Sequence, residues 1–132
     1  MIRLLNSLRL YVLGLASTVY HAALIVGSTT FKTRNAARLR FSGPRNWCRS
    51  LLWSGGVHVE IEGLEHLEPP RPAVLVCNHE SWYDVFALAG TLPVDYRFVG
   101  KKELQKIPLF GPAWIASGHI PIDRSNRKAA IE

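Results

Sequence analysis

One stretch limits what this chain can fold into. LYVLGLASTVYHAALIVGSTTF, Leu10 to Phe31, holds no formal charge unless His21 is protonated. It is long enough to cross a bilayer as a helix. Gly14, Ser17, Thr18, His21 and Gly27 dilute its apolar character. A buried helix or one lying in the membrane interface therefore stands beside a true span. Arg3 and Arg9 precede the stretch, and Lys32, Arg34, Arg38, Arg40, Arg45 and Arg49 follow it. That asymmetry places the downstream part on the cytoplasmic side. A cleaved signal peptide fits less well, because the apolar region is long and no A-x-A site follows it. Residues 1–54 are expected to form an N-terminal membrane-associated helical region.

Charge points the same way. The 132 residues carry a net charge of +6, with a pI near 9.8. An anionic membrane surface, a phosphorylated substrate and nucleic acid would all suit such a chain. No nucleic-acid motif accompanies Trp47, Trp53 and the arginine run, so no nucleic-acid partner is expected. Hydrophobic residues make up 48%, which excludes general disorder. Two cysteines, Cys48 and Cys77, form no disulfide framework. Cys77 closes an apolar run and is expected to be a buried thiol in a reducing compartment.

Between Thr33 and Trp53 the sequence is basic with interleaved apolar residues. Gly43-Pro44 predicts a break, with a short helix from Arg45 to Trp53 after it. From Val57 the pattern changes. Val57, Val59 and Ile61 alternate with His58, Glu60 and Glu62, the period of a half-buried strand. AVLV, Ala73 to Val76, reads as a fully buried strand. WYDVFALAG suits a helix ending near Gly90. YRFVG reads as a strand, KKELQKI as a helical turn stopped by Pro108, and LFGPAWIASG as an apolar connection. HIPID reads as a strand, and SNRKAAIE opens a helix. This alternation places residues 55–132 in the α/β class. The last helix has no stop signal and nothing to pack on it, so the domain is expected to be incomplete.

The chemistry concentrates in CNHESWYDVF, residues 77 to 86. Ligands of α/β domains commonly meet the carboxyl ends of strands, where a following helix offers free N–H groups and a positive dipole end. His79 is the natural proton acceptor there, since imidazole titrates near neutral pH. Asp84 could fix its tautomer and stabilise the imidazolium. Five residues on a regular helix turn about 500°, which leaves the two about 140° apart. They can meet only if His79 lies in the turn before the helix and bends back over its first turn. Asn78 is expected to hold that turn through side-chain to backbone hydrogen bonds. A satisfied polar histidine and a first-turn helix acid remain the plainer alternatives. Zinc chemistry of the H-E-x-x-H kind would need a histidine where Tyr83 stands. A G-x-S-x-G elbow would need glycines where Cys77–Tyr83 has none in place around Ser81. A Cys77–His79 thiol dyad conflicts with the burial expected of Cys77.

NHESWYD resembles the N-H-x-x-x-x-D signature of the glycerolipid acyltransferases. FVGKKELQKIPLFGPAWIASGHIPIDRSNRKA resembles their second block. The likeness covers Val57 to the end and is greatest to the bacterial 1-acyl-sn-glycerol-3-phosphate acyltransferases. It implies a membrane-bound enzyme with its catalytic part on the cytoplasmic face, in bacteria at the inner membrane. It implies acyl transfer from acyl-CoA or acyl carrier protein to the free hydroxyl of lysophosphatidic acid, giving phosphatidic acid, without a metal or a further cofactor. His79 would be the general base and Asp84 its orienting carboxylate. Lys101 would face the developing oxyanion, with Lys102 a weaker match. Arg124 would grip the acceptor phosphate, and Asp123 would position its loop. Ser81 and Cys77 would form no acyl-enzyme, while Asn78 and Ser81 flank the base as substrate contacts.

The sequence departs from that family in one large respect. Its third block, E-G-T-R after a Phe-Pro pair, is absent, and so is its later proline block. Residues 55–132 are therefore expected to be an acyltransferase domain truncated at its C-terminal side. A non-catalytic membrane- or lipid-binding remnant is the alternative to an active enzyme.

Overall fold

The computed structural model describes residues 2–68 and 71–125, with side chains from Ser7 onward. Helix α1 runs Ile2–Thr30 and α2 runs Ala36–Gly55. They form an antiparallel hairpin. Arg9 Nε donates to the Ser54 carbonyl (2.9 Å) at one end, and Trp47 Nε1 donates to Thr18 Oγ1 (2.8 Å) further along. Ser17 and Ser50 hydroxyls bond between them. At the other end Gly43 lies so close to Ile25 that a Cβ would meet its side chain at 2.8 Å.

The two faces of α1 are inverted relative to a helix of a water-soluble core. Gly14, Ala22, Ile25 and Ser28 are buried, with Ser17, Thr18 and His21 half-buried beside them. Leu8, Tyr11, Val12, Leu15, Val19 and Tyr20 point outward and are exposed. Small and hydroxyl residues allow the two helices to approach closely. Ser7–Thr30 is also long and apolar enough to cross a membrane by length and composition.

Helix α2 does not break at Gly43-Pro44. It passes through Pro44 without interruption. Proline removes one helical N–H and crowds the preceding turn. Packing on α1 on both sides of Pro44, at Gly43 and Trp47, holds the helix together. It ends at Gly56, whose φ of 68° fits a left-handed cap. Val57 N–H then donates to the Leu52 carbonyl (2.9 Å).

The two expected strands after this cap do not form. Residues 57–63 and 71–80 carry no strand pairing. A short 3-10 turn spans Leu64–Leu67. Val74 and Val76 are each 90% exposed, against the burial expected of AVLV. A strand exists through its neighbours, and no described residue pairs with either run. Helix α3 (Trp82–Thr91) follows. Strand β1 (Val99–Lys101) and β2 (Ile120–Ile122) then pair in parallel, Val99 opposite Ile120 and Lys101 opposite Ile122. A 3-10 turn over Lys102–Lys106 and helix α4 (Phe110–Ala116) connect them. The α4 segment reads from sequence as a loop. It forms a helix because Pro112 falls in its first turn, where a missing N–H costs nothing. The helix also buries Ala113 and Trp114.

Among the described residues the architecture is thus mostly helical with one small parallel sheet. The core joins Ala22 and Ile25 of α1 to Ala113 of α4. Cys48, Leu51 and Leu52 of α2 are buried, as is Ala89 of α3. Of the helix expected from Ser125, all but Ser125 lies outside the described residues.

Candidate active site

The turn that precedes α3 gathers around one carboxylate oxygen. Ser81 is the N-cap of α3, with extended backbone (φ −149°, ψ 168°). Its Oγ accepts from Tyr83 N–H (3.1 Å), which is the ordinary service of a capping serine. Asp84 stands at the third helical position and completes a capping box. Its Oδ2 accepts from the backbone N–H of Glu80 (2.7 Å) and of Ser81 (2.8 Å). The same oxygen lies 3.2 Å from His79 Nδ1. His79 therefore sits before the helix and folds back onto its first turn, the one arrangement its spacing from Asp84 permits.

This geometry sets a tautomer. An ionised carboxylate only accepts, so the bond requires the proton on Nδ1. Nε2 then keeps a free lone pair and can take a proton from a ligand. The Asp84 carboxyl is held below the usual carboxylate range, first by the Ser81 and Glu80 N–H groups and to a lesser degree by His79. It stays anionic at neutral pH. The His79 side chain is 60% exposed, so the lone pair is open to an approaching molecule.

The other expected site residues are placed differently. Asn78 makes no side-chain hydrogen bond among the described residues. Asp84 holds the turn instead, because its carboxylate can accept from two N–H groups at once. Cys77 is exposed rather than buried, since the run before it has no partner strand among the described residues. Cys48 is the buried thiol, and burial pushes it up to about 12. Lys101 ends β1 with an exposed side chain. Lys102 pairs with Asp123 and is raised by that bond. Asp123 falls well below the usual range through Lys102 first and Ser125 second. Its Oδ1 accepts from Ser125 N–H (2.9 Å) and Oγ (2.6 Å), tying down the turn that carries exposed Arg124. No hydrogen bond or ion pair among the described residues links Lys101 or Arg124 to His79 or Asp84.

What docks this turn on the rest of the molecule was not among the sequence expectations. Trp47 of α2 meets Phe86 of α3 edge to face, and Phe86 stacks on Trp82 at 6.3 Å. Arg49 Nε donates to the Gly90 carbonyl (2.7 Å). The spacing of Trp82 and Phe86, one helical turn apart, was the available signal. Trp47 also packs on Phe110 and lines a small, mostly apolar cleft between α1, α2 and α4, with Ile25, Trp114 and His119. His119 is buried, its Nδ1 accepting from Phe98 N–H (3.2 Å), and burial lowers it to about 4.

An imidazole with a carboxylate behind it and an open nitrogen in front is the arrangement that general-base chemistry uses. The family model for acyltransferases matches residues 58–132. The chain belongs to the acyltransferase family. It is similar to the 1-acyl-sn-glycerol-3-phosphate acyltransferase of Pseudomonas aeruginosa, 38% identical over 101 residues, 73% of this chain and 38% of that protein. The protein of the same name from Cocos nucifera is 39% identical over 84 residues, 64% of this chain and 27% of that protein. That of Limnanthes alba is 38% identical over 82 residues, covering 62% and 28%. The chain thus spans 27% to 38% of the length of these curated relatives. No solved structure matches the chain.

Proposed function

We propose that this chain carries the base of an acyltransferase that acylates 1-acyl-glycerol 3-phosphate at a membrane. His79 Nε2 takes the proton of the acceptor hydroxyl. The alkoxide oxygen attacks the thioester carbonyl of acyl-CoA or acyl carrier protein. A C–O bond forms, the C–S bond breaks, and the imidazolium returns its proton to the leaving thiolate. Asp84 keeps Nδ1 protonated and balances the imidazolium charge. Lys101 is assigned to the developing oxyanion and Arg124 to the acceptor phosphate, whose geometry suits a guanidinium fork. Asn78 and Ser81 border the bound hydroxyl.

The observation that carries this reading is the 3.2 Å contact of His79 Nδ1 with Asp84 Oδ2 in an open turn. The names of the relatives support the substrate class. The test is acyl transfer to lysophosphatidic acid by membranes containing the protein, with His79→Ala compared with the parent. A loss of less than about tenfold overturns the base assignment, because general-base catalysis typically supplies 10²–10⁴-fold.

The membrane part of the proposal is in-plane. The outward apolar face of α1 enters one leaflet while α2 covers the other face. A full crossing would carry Arg45 and Arg49, paired alongside α1, into hydrocarbon at about 2.5–3.5 kcal/mol each. Lys and Arg residues around the hairpin would meet anionic headgroups on the cytoplasmic side.

A second reading is lipid binding without turnover. The exposure of His79 and of the 73–77 run favours it, since proton transfer gains from a dry site. Acceptor-dependent thiol release from acyl-CoA by the 132-residue chain would end this second reading.

A further inference from the structure

Arg40, Arg45 and Arg97 converge on a small pocket between α2, the 94–97 loop and Gly118. Gly118 makes the convergence possible. Its φ is +82°, and a Cβ there would meet Arg97 Nε at 2.8 Å and Arg40 Nη2 at 3.7 Å. Two guanidinium groups therefore share the space a side chain would fill. Arg97 is held by three contacts: Nη1 donates to Asp95 Oδ1 (2.7 Å) and to the Tyr96 carbonyl (2.6 Å), and its Cζ lies 4.9 Å from the Phe41 ring centre. Arg45 lies over Tyr96 and gives Nη2 to the Val94 carbonyl (2.8 Å). Its Nε is buried with no hydrogen-bond partner among the described residues.

Like charges held this close repel, and a buried N–H without an acceptor is costly. Among the described residues lining the pocket Asp95 is the only carboxylate, so three guanidinium groups against it leave two positive charges. An oxyanion between the exposed Arg40 and Arg97 groups would relieve the repulsion. A phosphate monoester carries about −1.5 to −2 at neutral pH, which matches that surplus. We infer that this pocket binds a phosphate monoester. It is separate from the His79 turn: Tyr96 bonds to Ala89 near the far end of α3, a helix about 15 Å long. The inference does not depend on acyl transfer.

The monoester could be a lipid headgroup or a free phosphate compound, and the test separates them. The full chain is floated with phosphatidylcholine vesicles containing phosphatidic acid, and with phosphatidylglycerol vesicles of matched surface charge. Thermal melts with inorganic phosphate form the soluble arm. Arg40→Gln/Arg97→Gln is compared with Arg34→Gln/Arg38→Gln, which removes two charges outside the pocket. The pocket pair is expected to lose about tenfold in affinity for phosphatidic acid vesicles, or the phosphate-induced rise in melting temperature, beyond the loss of the control pair. Vesicle selectivity without a phosphate effect identifies a lipid headgroup, and a phosphate effect identifies a soluble ligand. Equal losses for both pairs, or none, overturn the inference. Arg40→Lys/Arg97→Lys keeps the charge and the fold but removes the planar forks, and unchanged selectivity in this variant also overturns it.

Discussion

Trp47 meets Phe86 edge to face with 5.5 Å between ring centres, and through this contact the α1–α2 hairpin holds the helix that carries Asp84. Trp47 also bonds Thr18 and packs on Phe110, so one side chain touches α1, α3 and α4. Trp47→Ala should lower stability by about 2–4 kcal/mol, since it leaves a void and removes the bond to Thr18 Oγ1, whose hydroxyl still donates to the Gly14 carbonyl. Trp47→Phe should lose less. Thermal or denaturant melts of the two variants check this ordering.

Chemistry and capping can be separated at the His79 turn. Ser81→Ala should cost about 1 kcal/mol of stability through the lost cap and lower the acyl-transfer rate far less than loss of the base does. His79→Ala should do the reverse, with a rate loss of about 10²-fold or more and near-parental stability. Asp84→Ala should do both, because the same oxygen caps α3 and orients the imidazole. Rates and melting temperatures measured on one set of variants decide it.

Acid should weaken the fold in two stages. His119 is held at about 4 in the folded protein, against a free value of 6.5. The unfolded chain therefore takes up this proton first as pH falls. The stability from keeping His119 neutral is complete above about pH 6.5 and declines toward pH 4, by on the order of 2 kcal/mol. His119→Gln, which retains an acceptor for Phe98 N–H, should flatten the melting temperature across that window. Asp84 and Asp123 have lowered values, so their contributions persist above about pH 4 and fail only below it.

The outward face of α1 should bind lipid. Leu15→Glu and Val12→Glu alter exposed positions and should leave the helical content intact. Each should weaken partition into neutral phosphatidylcholine vesicles by about tenfold or more. Ala23→Ser, a polar change without a charge, should have a much smaller effect. Flotation of the three variants measures the difference.

Elements that carry their own local signals were legible in the sequence. Helix α3 over Trp82–Thr91 with Asp84 in its first turn and the short strands at Val99 and Ile120 lie where their residue patterns place them, while α1 contains the apolar stretch from Leu10 but begins earlier, at Ile2. The return of His79 onto Asp84 followed from counting degrees along a helix. Three features were not legible. Pro44 signals a break, yet tertiary packing on α1 overrides it. Phe110–Ala116 is too short and too uniformly apolar to show a helical period. Val74 and Val76 have strand composition, but composition does not supply a neighbour to pair with. The arginine cluster at Gly118 was likewise invisible, because it joins residues 40, 45 and 97 across the fold.

The two thiols of this chain are chemically unequal. Cys48 is enclosed and stays protonated at any ordinary pH, while Cys77 stands in the open two positions ahead of His79. A maleimide dye would thus mark a single position without any mutation. Its emission would report what arrives at the imidazole, giving a direct optical reading of substrate docking in which turnover plays no part.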